Sequence, residues 1–330
     1  MHHSYLTNLP TGILLIIHSF LDMQSQLTLQ ATSQRWAKMP LVIDIQDSVW
    51  NYDTRRRRGL LKWLQLPRIM PYVDTIRLSA PSEDDVRCIG LLPSLRMLHL
   101  SGTTMYCIPY LTKLTKLQRL SFDRFGLIGD VSGLSRLIGL KHFLCNEMPI
   151  NNLDILHNLP KLSRLELTYC YELTSIPSAS FLTYLNCQNA NRICQNSTIT
   201  NFEALWSMPT LRSLYMSHTP FIDMHDFTSL TALEVLHIPS STSLTSLHGL
   251  WGLTRLYELN LYRCNSLIGL NGISALTGLT LLNCNFCRSL TTQGCIDITR
   301  LTALRELHFT RHADICDLPD LSCLTALTIV

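Results

Sequence analysis

The chain predicts an α/β solenoid with a parallel β-sheet on its concave face, preceded by a small all-α domain. Three observations carry that prediction. A phrase of the form LxxLxL opens at Val73, Leu95, Leu117, Leu140, Leu162, Leu182, Leu211, Leu233, Leu256, Leu279 and Leu304, with a partial copy at Leu327. Between copies, apolar residues recur every three positions, as at Leu244, Leu247, Leu250 and Leu253. The segment from Met1 to Pro40 lacks the phrase and carries Ile13, Ile17, Phe20 and Leu21 at helical spacing instead.

Taken in order, residues 1–40 form the helical part. Pro10 suits a first helical position, and Ser25 is placed to cap a second helix carrying Leu27, Leu29 and Ala31. Residues 41–72 connect and cap: "MPLVIDIQDSVW" predicts one strand, and "DTRRRRGLLKWLQLPRIMPYV" a basic-headed amphipathic helix. Arg55, Arg56, Arg57 and Arg58 fit either a solvated helix start facing an acidic neighbour or a phosphate contact and nuclear-import signal. Residues 73–330 are the repeats. A period of three on their returning side, in segments this short, predicts 3₁₀ or irregular backbone ahead of full α-helices. The longest step, from Leu182 to Leu211, contains "CQNANRICQNSTITNF" and predicts a rim loop. The phrase at "LTALTIV" stops before its strand is complete, which predicts an edge that pairs or is covered.

Composition narrows the function classes. With 330 residues, 46% of them hydrophobic, 15% charged and a net charge of +3, the chain buries a core and lacks the dominant basic face of a general nucleic-acid or membrane-surface binder. No apolar run approaches the roughly 20 residues that span a bilayer, and the N-terminus lacks a basic n-region and a small-residue cleavage site. The expected location is cytoplasmic or nuclear. Twelve cysteines fall largely at repeat positions that Leu, Asn or Thr occupy elsewhere, so they are expected as small buried thiols. Cys284 and Cys287 have CxxC spacing with no second pair. No phosphate loop, nucleophile motif or metal-ligand set is present, so no catalysis, metal or cofactor is expected.

The repeated phrase and the spacing of its openings resemble the leucine-rich-repeat family, in its short internalin-like class. Members of that family commonly carry Asn or Cys three residues after the last Leu. This chain has Cys170, Cys264 and Cys287 there, but Thr103, Phe125, Met148, Ala190, Thr219, Ser241 and His312 in other copies. The N-terminal stretch resembles an F-box: the pair Leu9–Pro10, the apolar spacing through Ile17 to "FLD", and "TSQRW" ending at Trp36. Gly12 stands where that motif commonly has an acidic residue. This resemblance implies a substrate-recognition subunit of a cullin-RING ubiquitin ligase. A Skp-family adaptor and its cullin complex would dock on Leu9, Pro10, Ile13, Ile17, Leu21 and Trp36. The alternative is a non-catalytic scaffold or regulator, of the phosphatase-regulator kind, with a helical cap.

Side chains alternate along a strand, so if the Leu positions face the core the intervening ones face the concave side. That places the expected protein-substrate surface at Glu166, Tyr169, Tyr215, His218, His237, Glu258, Asn260, Tyr262, Arg263, Phe286, His308 and Arg311. Tyr215, His237 and Asn260 are expected in one column, and Arg263, Phe286 and Arg311 in another.

Overall fold

The computed structural model describes residues 41–45, 70–102, 107–124, 131–188, 199–309 and 318–330. The N-terminal residues Leu9, Pro10, Ile13, Ile17, Leu21 and Trp36, the run Arg55 to Arg58, the tip of the rim insertion and Arg311 lie outside them. The chain divides into two compact units, Met1–Leu144 and Cys145–Val330.

The first unit holds β1 (Leu41–Ile45), β2 (Val73–Ser79), β3 (Met97–Ser101) and β4 (Arg119–Asp123), each parallel to the next. The division falls inside β5 (His142–Asn146). The second unit continues with β6 (Arg164–Thr168), β7 (Tyr184–Cys187), β8 (Ser213–Met216), β9 (Val235–His237), β10 (Glu258–Asn260), β11 (Leu281–Asn283), β12 (Glu306–His308) and β13 (Thr328–Ile329). These too pair in parallel and in chain order.

The phrase sets the strands. From β3 to β12 every strand begins two positions after an opening Leu, because the opening residue ends the preceding turn while the next two apolar positions face the core. Leu98 and Leu100, Leu214 and Met216, and Leu259 and Leu261 are each no more than 2% exposed, and each such side chain contributes about 1.5–3 kcal/mol on burial. The partial copy is an exception: Ile329, not Val330, pairs with Leu307, a slip of one position from the register that an opening at Leu327 predicts.

The returning side is 3₁₀ in most repeats, as at Ser132–Arg136, His225–Ser229, Leu250–Gly252 and Ile273–Ala275. Among the described residues, two short α-helices depart from that expectation, both in the first unit. They are α1 (Glu83–Ile89) and α2 (Ile108–Leu111). α1 has a local cause: Ser82 and Asp85 form a capping box, with three acids in its first turn and Arg87 in its last.

Among the described residues, the position three after the last Leu makes cross-repeat hydrogen bonds at Cys170, Thr219, Ser241, Cys264 and Cys287, while Met148 offers no donor. Cys170, Cys264 and Cys287 donate their thiols to the carbonyls of Cys145, Ile238 and Leu261, at 3.5, 3.4 and 3.0 Å. Each acceptor is the last apolar residue of the preceding phrase. Thr219 and Ser241 instead bond each other, their hydroxyl oxygens 2.7 Å apart, and Ser241 Oγ also accepts from the Thr219 amide. The CxxC pair does not converge, since Cys284 donates toward His308 and Cys287 toward Leu261, on opposite neighbouring strands.

Candidate functional site

On the second unit the strand positions between core residues form two rows. Register places Tyr215 beside His237 and His237 beside Asn260, the predicted column, which continues to Asn283 and His308. Tyr184, Ser213, Val235 and Glu258 form the row next to it.

A chain of contacts crosses both rows. The Arg164 guanidinium lies 3.6 Å from the centre of the Tyr184 ring and donates to Glu166 at 2.6 Å. Tyr184 packs against Tyr215 with ring centres 5.2 Å apart, and Tyr215 meets His237 edge to face at 4.7 Å. His237 Nε2 lies 2.7 Å from Glu258 Oε1. Partial burial, then the neighbouring Tyr184 and Glu258, raise the Tyr215 pKa, so its phenol stays a neutral donor. Farther along, His308 and Glu306 lie 2.6 Å apart.

A second cluster sits where the chain leaves the strands. Strand alternation predicts that Tyr169, His218, Arg263 and Phe286 face out from the strands, but they occupy the turn just beyond them, with φ of 58°, 55°, 60° and 61°. Left-handed backbone, not pleating, aims them. Such φ values are uncommon outside glycine, and they recur at the same repeat position at Ala80, Arg124, Glu147 and Ser240. There Tyr262 and Phe286 pack edge to face at 5.5 Å. The Arg263 guanidinium lies 5.2 Å from the centre of the Tyr262 ring and 5.7 Å from that of Phe286.

Asn260 departs from its expected role. Its Oδ1 accepts from the Tyr262 amide at 2.9 Å, and Asn186 and Asn283 do the same for Gln188 and Asn285. These are turns closed by asparagine side chains, so Asn260 shapes the Tyr262 turn and keeps only its amide N–H groups for a partner. Arg164 and Tyr184 were not among the expected site residues. Their signal is present in the sequence, since each occupies the third position of its phrase, just before the second core residue, in "LSRLEL" and "LTYLNC". Among the described residues no group of His, Cys, Asp and Glu could hold a metal ion.

No protein-family model matches the sequence, and no curated protein matches it significantly. Solved structures do. An internalin, InlF, from Listeria monocytogenes superposes with a TM-score of 0.63 at 16% identity, covering 93% of each chain. A leucine-rich-repeat protein of Leptospira interrogans gives 0.62 at 18%, covering 93% of this chain and 80% of that one. TLR13, in complex with an RNA termed ssRNA13, gives 0.57 at 18%, covering 79% and 40%. The fold is therefore that of leucine-rich-repeat proteins, internalins among them.

Proposed function

We propose that the chain is a non-catalytic recognition protein whose second unit captures a protein partner on its strand face. The observation that carries this reading is the unbroken series of cation–aromatic and aromatic contacts from Arg164 through Tyr184 and Tyr215 to His237, with Tyr262, Arg263 and Phe286 beyond it. Tyr and Arg are the types enriched where interfaces concentrate their energy, and neighbours that hold one another leave less side-chain entropy to lose on binding. Alternating charge supports a protein over a polyanion, because Arg164 and His237 each contact a carboxylate. Tyr262→Ala combined with Arg263→Ala is expected to abolish capture of specific proteins from a cell lysate while leaving the melting temperature unchanged. His248→Ala with Trp251→Ala, on the returning side, is expected to leave capture intact. Capture lost only from the second pair would move the site to the other face.

The finer reading is a substrate-recognition subunit of a cullin-RING ubiquitin ligase, acting in the cytoplasm or nucleus. Its support is the sequence of the N-terminal segment 1–40, where Leu9, Pro10, Ile13, Ile17, Leu21 and Trp36 match an F-box pattern.

A further inference from the structure

The first unit carries a different chemistry on its strand face. Thr75, Arg77, Met97, His99, Arg119 and Ser121 line a hollow of about 410 Å³ to which no lining residue contributes a carboxylate. Register sets the geometry: Arg77, His99 and Ser121 form one row across β2, β3 and β4, and Thr75, Met97 and Arg119 form the row beside it. Neighbouring strands are about 4.8 Å apart and alternate residues along a strand about 6.6 Å apart. Arg119, His99 and Ser121 therefore stand within the reach of one tetrahedral group.

The partner of Arg119 differs from those of the arginines held in ion pairs. Arg87, Arg96, Arg164 and Arg212 each contact a carboxylate, at 2.8, 3.5, 2.6 and 2.9 Å. Arg119 instead donates to Nδ1 of His142 at 3.0 Å. An accepting ring nitrogen carries no proton, so this contact orients the guanidinium without neutralising it, and four of its five N–H donors remain. His99 Nδ1 and Ser121 Oγ lie 2.9 Å apart, a pair in which a protonated ring would donate to the hydroxyl and turn its O–H outward. Arg77 has an interaction of its own, so its charge is not counted toward the site.

We infer that this hollow binds a single phosphomonoester-type oxyanion, held by the Arg119 guanidinium, the Ser121 hydroxyl and the His99 imidazole. A guanidinium fork matches phosphate oxygens in pairs. A phosphodiester chain fits less well: Asp123 ends β4 beyond the hollow, so an extended polyanion would meet a carboxylate there. The oxyanion belongs either to a small phosphate compound or to a phosphorylated side chain. The site is independent of the protein-binding reading of the second unit.

Titration calorimetry of the full chain, with inorganic phosphate and with the tripeptide Gly-phosphoserine-Gly at ionic strength held constant by sodium chloride, tests it. Both probes are expected to bind. Arg119→Gln is expected to weaken binding about tenfold or more, the loss of charge-assisted hydrogen bonds, and Ser121→Ala severalfold, with melting temperatures unchanged. Arg136→Gln makes the same charge change on the returning segment and is expected to leave affinity unaltered. A tripeptide that binds more tightly than inorganic phosphate assigns the oxyanion to a modified protein, and the reverse order assigns it to a small compound. The inference is overturned if neither probe binds, if Arg119→Gln changes nothing, if Arg136→Gln weakens binding as much, or if a short single-stranded RNA binds more tightly than both and loses that binding with Arg119→Gln.

Discussion

Cys107 and Cys170 are buried thiols whose pKa burial pushes up from 9.0 to about 12, because a thiolate there would lose its hydration. The Cys170 thiol also donates to the Cys145 carbonyl, a bond the thiolate could not make. In the unfolded chain these thiols begin to lose protons near pH 9, while in the folded chain they hold them until about pH 12. Their contribution to stability is therefore fully present below pH 9 and is lost as pH rises from 9 to 12. One unit above the unfolded value it falls by about 1.4 kcal/mol per thiol. The melting temperature is expected to be flat with respect to these groups from pH 7 to 9 and to fall above it. Cys170→Ala should be less stable at pH 8 but show a shallower alkaline decline. An equally steep decline in that variant would assign the loss to other groups. The burial of Cys170 was legible in the sequence from its repeat position. The capture of Asn260 Oδ1 by the Tyr262 amide was not, because an Asn between core leucines looks the same whether it faces a partner or closes a turn.

Repeats sit close enough on their returning side that single glycines set the spacing. Gly249 precedes the 3₁₀ turn Leu250–Gly252 with φ of 111°, and a Cβ there would lie 2.0 Å from the Met224 carbonyl oxygen of the preceding repeat. That carbonyl cannot retreat freely, because the Met224 amide is held at 2.9 Å by the His248 carbonyl. Gly252 has ordinary φ and nothing within 4 Å of a Cβ position. Gly249→Ala is therefore expected to cost about 3 kcal/mol or more, from positive φ and overlap together. Gly252→Ala should be neutral or stabilising by up to about 1 kcal/mol, through the unfolded chain. Urea midpoints of the two variants check the contrast, and similar midpoints would refute it. Elements divide the same way in legibility. Strand positions followed from the opening leucines, because burial demands that register. The left-handed turns at Tyr169, His218, Arg263 and Phe286 did not, since backbone geometry shared by eight non-glycine residues of different chemistry leaves no common residue type to read. α1 is not predicted by the repeat pattern although its capping residues, Ser82 and Asp85, stand in plain sequence, because a period of three carries no sign of a short capped α-helix of about two turns.

At the scale of the whole chain, besides the oxyanion hollow of the first unit, two protein-docking activities are proposed for separate stretches of sequence: adaptor docking by the N-terminal segment 1–40 and partner capture by the face between Arg164 and Phe286. If both hold, they should be separable by mutation. Interfaces place much of their energy in a few buried apolar anchors, where truncation often costs about 2 kcal/mol or more, and Leu9 and Pro10 open the segment that resembles an F-box. The wild-type chain is expected to co-purify with a Skp-family adaptor. Leu9→Ala with Pro10→Ala should release that adaptor and leave capture of the lysate partner unchanged, whereas Tyr262→Ala with Arg263→Ala should do the opposite. A loss at one site without effect on the other would assign each function to its own stretch, and all four residues changed together should lose both. If the adaptor never co-purifies, or stays bound when Leu9 and Pro10 are truncated, the ubiquitin-ligase reading fails while partner capture stands on its own test. Simultaneous loss of both from either pair, with the melting temperature preserved, would instead mean that one surface serves both, and the assignment of two sites would be wrong.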